Sequence, residues 1–135
     1  DDVFDVSDAI EEVCVQMKNF PIAFDKIITI AKKKDDDTIE NAQLIRLEGD
    51  DSTELKELYM ALEKKLGIPV TQKKHFKPFV TLGRMRAKKW KELSEYPDIN
   101  IDFPLILDIY QITLFESVQI DDVWTIVPVE VFDLQ

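Results

Sequence analysis

One helix is plainly written into this chain, and strand-like runs lie on both sides of it. Asp51 or Ser52 caps it, and Leu55, Leu58, Tyr59, Leu62 and Leu66 form its apolar stripe. Gly67 and Pro69 end it. A helix with one apolar stripe must bury that stripe against another layer. The strands supply the layer. Residues 23–31 are rich in Ile and Phe, and residues 43–48 alternate; both read as strands. Residues 70–73, 79–86, 105–108, 111–117 and 124–132 read as five more. Gly83 marks a bulge or a close approach, and Pro128 confines the last strand to an edge or a bulge. Ser7 reads as the cap of an earlier helix with Ile10, Val13, Cys14 and Met17 on its core face, and Pro21 follows its end. Residues 32–37 read as a charged turn, and 87–95 as a short helix stopped by Pro97. The order implies an α+β fold, with antiparallel sheet and helices packed on it.

At 135 residues the chain is read as one domain, 1–135. It begins at Asp1 without a methionine, so it is expected to be part of a longer product. No apolar run approaches the roughly 20 residues that span a bilayer, and no signal peptide is visible; a cytoplasmic location and no membrane partner are expected. The single cysteine, Cys14, excludes an internal disulfide and reads as a small buried hydrophobe. The single histidine, His75, excludes two-histidine chemistry supplied by this chain alone. Three glycines are too few and too scattered for a Gly-rich nucleotide loop.

The net charge is −10, which opposes a long polyanion. The distribution is uneven. Lys73, Lys74, Lys77, Arg84, Arg86, Lys88, Lys89 and Lys91 lie between Gln72 and Lys91, with no acid among them. Such an island is either a local anion site or a solvated face that balances acids elsewhere.

Inside the island stands Lys77-Pro78-Phe79-Val80-Thr81-Leu82-Gly83-Arg84. This resembles a signature of the 2H phosphoesterase superfamily, and in particular of the prokaryotic RNA 2′,3′-cyclic phosphodiesterases, long called 2′-5′ RNA ligases. Their signature reads basic, Pro, His, apolar, Thr, Leu, small, Arg. Every position fits except the histidine, where this chain has Phe79. The preceding helix with Gly67-Ile68-Pro69, the run Leu114-Phe115-Glu116-Ser117 and residues 127–134 also resemble that family.

The resemblance implies a bilobal fold in which each half gives one His-x-Thr strand to a cleft around the scissile phosphate. This chain holds one such strand, so it is expected to lack N-terminal strands and to need the other half from upstream or from a second chain. The implied activity is a hydrolase or ligase in RNA processing, acting on RNA ends or nucleotides with a cyclic phosphate. No metal and no cofactor is implied. The implied catalytic positions are Phe79, standing where the histidine would be, and Thr81; Arg84 and Lys77 would bind substrate.

The chemistry explains why the histidine matters. Opening a cyclic phosphate needs a base for water and an acid for the leaving oxygen, and two imidazoles serve both roles. Threonine hydroxyls hydrogen-bond the phosphoryl oxygens, and an arginine fork binds the charge. On a strand, residues 79 and 81 share a face. A phenyl ring carries no proton, and each acid–base contribution is worth about 10²–10⁴-fold in rate. The activity of this chain is therefore in question, and a non-catalytic phosphate- or nucleotide-binding or interaction module of the same fold is the alternative.

Other residues weigh less. His75 is a substitute base or a strand-end residue; Phe76, Trp90 and Tyr110 stack on a base or pack at a rim. Asp35, Asp36 and Asp37 hold a hard cation or are simply solvated.

Overall fold

The computed structural model describes residues 2–33, 39–68, 76–86 and 98–135. The elements run α1 (Asp2–Cys14), β1 (Phe20–Lys33), β2 (Ile39–Gly49), α2 (Thr53–Leu66), β3 (Phe79–Arg86), β4 (Asn100–Ile109), β5 (Gln111–Ile120) and β6 (Val123–Asp133). The fold is α+β with antiparallel sheets, as the sequence implies. The expected segments 70–73 and 87–95 lie outside the described residues, as does most of the expected turn 32–37.

The chain forms two compact units. The first joins residues 1–21, 53–74 and 108–135; the second joins 22–52 and 75–107.

In the first unit α1 packs on α2 and on β6. Ile10, Val13, Cys14, Leu58, Phe132 and Leu134 form its buried core. Ser7 does not cap α1. The helix begins at Asp2, because Val3 and Val6 carry the apolar period upstream and a serine is tolerated within it. Met17 lies beyond the helix, whose end tightens through Gln16 N–H to Val13 O (3.2 Å) and Met17 N–H to Cys14 O (3.3 Å). α2 closes as expected. Gly67 takes φ 69°, Ile68 N–H donates to Glu63 O (3.0 Å) and Gly67 N–H to Lys64 O (3.4 Å), a Schellman closure. Lys65 pairs with Glu12 across the two helices, in solvent, where such pairs add little.

β5 and β6 pair as a hairpin, Ile120 opposite Val123, over the two-residue turn Asp121-Asp122. Both turn residues have positive φ, 48° and 62°, the twist a two-residue hairpin needs. At the open end Gln111 Nε2 donates to Asp133 Oδ1 at 2.9 Å. Val129 is the extra residue of a bulge beside Pro128, so the proline stands where the ladder is already interrupted. One face carries Ile112, Leu114, Val118 and Phe132 with more burial; the other shows Phe115, Trp124, Ile126 and Val131 to solvent.

The second unit is a sheet in the order β3-β2-β1-β4. β1 starts at Phe20, earlier than expected, because Pro21 near a strand start forfeits little of the ladder. Thr29 N–H donates to Ile99 O (3.1 Å) and Ile99 N–H to Thr29 Oγ1 (3.1 Å), which sets β4 beside β1. β4 reaches back to Asn100 through Pro104, tolerated because β4 ends the described order.

Candidate functional site

β3 has the bounds expected from its alternation, Phe79–Arg86. Its lead-in is pinned. Gly49 N–H donates to Pro78 O and Ser52 N–H to Phe76 O, both at 3.0 Å. Pro78 is buried and Phe76 half-buried. Gly49 is required here, since a Cβ would stand 2.1 Å from the Ala23 carbonyl oxygen.

Register decides what the strand presents. Phe79 pairs with Glu48, Val80 with Leu47 and Thr81 with Arg46. Gly83 then pairs with Ile45 and Arg84 with Leu44, which leaves Leu82 as the extra residue of a bulge. Paired residues share a face, and faces alternate along a strand. Phe79, Thr81 and Arg84 therefore face one side, together with Glu48, Arg46 and Leu44. Without the bulge, the three-residue step from Thr81 would turn Arg84 to the back. Gly83 marks the bulge, as its sequence context suggests. It is no close approach, for a Cβ there would meet nothing within 4 Å.

β1 extends the same face. Lys26 pairs with Glu48, Ile28 with Arg46 and Ile30 with Leu44. A second bulge at Asp25 switches the parity: Ile22 and Phe24 are buried on the reverse side, and Lys26 and Ile28 come round to the face.

Among the residues whose side chains are described, this face carries the cations Lys26, Arg46 and Arg84, the carboxylate Glu48 and the Thr81 hydroxyl. Thr81 and Arg84 are exposed; Lys26, Arg46 and Glu48 are half-buried. Phe79 is 54% exposed, and the Arg46 guanidinium carbon sits 4.2 Å from its ring centroid. Such a cation–π contact is worth about 0.5–2 kcal/mol, more as it is desolvated. Arg46 Nε is buried and finds no hydrogen-bond acceptor among the described residues. A buried donor left so costs about 1–3 kcal/mol.

The structure brings Phe79, Thr81 and Arg84 to one side of the sheet. Lys77 is exposed just ahead of β3, outside the described ladder. Arg46 and Lys26 escape the sequence reading. The alternation of residues 43–48 already groups Arg46 with Leu44 and Glu48, but only the register shows that Thr81 stands opposite.

The remaining candidates divide. His75, Trp90 and the triple Asp35 to Asp37 lie outside the described residues. Tyr110 belongs to the first unit, exposed beside Asn19, Phe20, Pro21 and Asp108 around a shallow depression. Cys14 is 1% exposed, and burial, then the nearby Glu11 charge, pushes its thiol pKa up. Among the described residues no three His, Cys, Asp or Glu side chains gather as metal ligands, and no helix is long and apolar enough to cross a membrane. No family model, curated protein or solved structure matches the chain.

Proposed function

We propose that the β1–β2–β3 face binds the phosphate of an RNA end or nucleotide, in a bilobal domain of the 2H phosphoesterase kind that no longer transfers protons at Phe79. The observation that carries this reading is the grouping of Thr81, Arg84 and Arg46 on one side of the sheet. Hydroxyl and guanidinium donors are the groups that hold phosphoryl oxygens, and arginine matches them with a planar fork. The motif around Phe79 supports the family, and the phenyl ring supports binding over turnover.

Phosphorus NMR of the chain with a short RNA ending in a 2′,3′-cyclic phosphate tests it. The expected result is a shifted or broadened cyclic resonance with no new peak over hours, lost in Arg84→Ala. A monoester peak that depends on Arg84 would overturn the non-catalytic reading in favour of a cyclic phosphodiesterase. An unperturbed spectrum would overturn the phosphate site altogether.

A further inference from the structure

We infer that Phe79 and Arg46 together make the site a clamp for a phosphate monoester dianion, such as the opened end of an RNA or a nucleoside monophosphate, in preference to a cyclic diester. The inference deepens the reading above and rests on it.

Two features carry it. The ring that stands at the proton-transfer position holds the Arg46 guanidinium at 4.2 Å, so a fixed cation takes the place of a titrating group. Arg46 is directly opposite Thr81, and Arg84 follows on the same face across the bulge, so the register groups two arginines with one threonine. A site with two permanently charged guanidinium groups gains from each added unit of ligand charge. A cyclic phosphodiester carries one negative charge. A terminal monoester carries about 1.5–2 near pH 7, with its second proton lost near pH 6.

Among the residues whose side chains are described, the charged groups on this face are Arg46 and Glu48 from β2, Lys26 from β1 and Arg84 from β3. They are the same for both ligands, so comparing the two ends isolates the ligand's own titration. Glu48 opposes any anion, but it stands opposite Lys26 and Phe79 and not opposite Thr81.

The experiment is isothermal titration calorimetry with two short RNAs of one sequence, one ending in a 2′-monophosphate and one in a 2′,3′-cyclic phosphate, between pH 5 and 8. The expected result is a monoester bound at least about tenfold more tightly at pH 7.5, with the preference shrinking below pH 6. Arg46→Met should reduce the preference to about threefold or less, and Arg46→Lys, which keeps one charge and loses the fork, should fall between. Phe79→Leu should weaken the monoester several-fold by releasing Arg46, with unchanged circular dichroism. Equal affinity for the two ends, or a preference untouched by Arg46→Met, overturns the clamp while leaving the phosphate site standing. Binding of neither end overturns the site itself.

Discussion

Two glycines of the second unit should respond in opposite directions to the same added methyl group. Gly49 faces Phe24 in the β1–β2 ladder, where a Cβ would lie 2.1 Å from the Ala23 carbonyl oxygen and 3.1 Å from Pro78 Cγ. The nearest atom is backbone, so no side-chain rotation relieves it; β1 itself must move by about 1 Å. Forced overpacking typically costs about 1–3 kcal/mol, and a clash with backbone belongs at the upper end, about 3 kcal/mol, a large share of the roughly 5–15 kcal/mol that holds a domain. With a urea slope of about 2 kcal/mol per molar, Gly49→Ala should lower the midpoint by about 1.5 M. Gly83 lies at the β3 bulge without a positive φ, and a Cβ there meets nothing within 4 Å. Gly83→Ala should stabilise by about 0.4–1 kcal/mol, chiefly by restricting the unfolded chain, and raise the midpoint by a few tenths of a molar. Urea titrations followed by tryptophan fluorescence and far-ultraviolet circular dichroism measure both. A Gly49→Ala midpoint within about 0.5 M of the parent would refute the reasoning. So would equal shifts for the two variants.

Replacing Asp121-Asp122 with Asn-Gly should raise the urea midpoint, by up to about 1 kcal/mol, because glycine takes positive φ more readily than aspartate; Ala-Ala should lower it. The Cys14 thiol, buried and shifted up in pKa, should resist iodoacetamide at pH 8 in the folded protein and react promptly in 6 M guanidinium, with mass spectrometry as the readout. Tyr59 should ionise above its ordinary value, because the Glu63 charge, partial burial and a hydrogen bond to Glu63 all favour the neutral phenol. A folded-state pKa raised in this way leaves stability intact below the ordinary tyrosine range and erodes it as pH climbs through the shifted value. Ultraviolet titration of Glu63→Gln against the parent should show the phenol titrating earlier in the variant.

Local patterns recovered much of the fold, and long-range pairing supplied what they missed. The bounds of β3 follow from alternation alone, and the Gly67 stop of α2 from one residue's backbone freedom. Ser7 misleads because a residue suited to a cap is also tolerated inside a helix when the apolar period continues past it. Pro104 hides the first half of β4, because whether a proline breaks a strand depends on which strand ends the sheet. Phe79, Thr81 and Arg84 stand out as a motif, yet Arg46 has no signature of its own. Its place beside them comes from pairing residues 35 positions apart, information that no window along β2 contains.

The Leu82 bulge also determines which changes of length this strand can absorb. Deleting Leu82 alone would restore an even ladder and leave Arg84 two positions after Thr81, still on the same side. Deleting Leu82 and Gly83 together would make Thr81 and Arg84 neighbours and send the arginine to the opposite surface. The smaller loss, which disturbs a bulge, keeps the arginine; the larger one discards it. Arithmetic parity, more than the number of residues removed, governs whether a shortened β3 can still hold an anion.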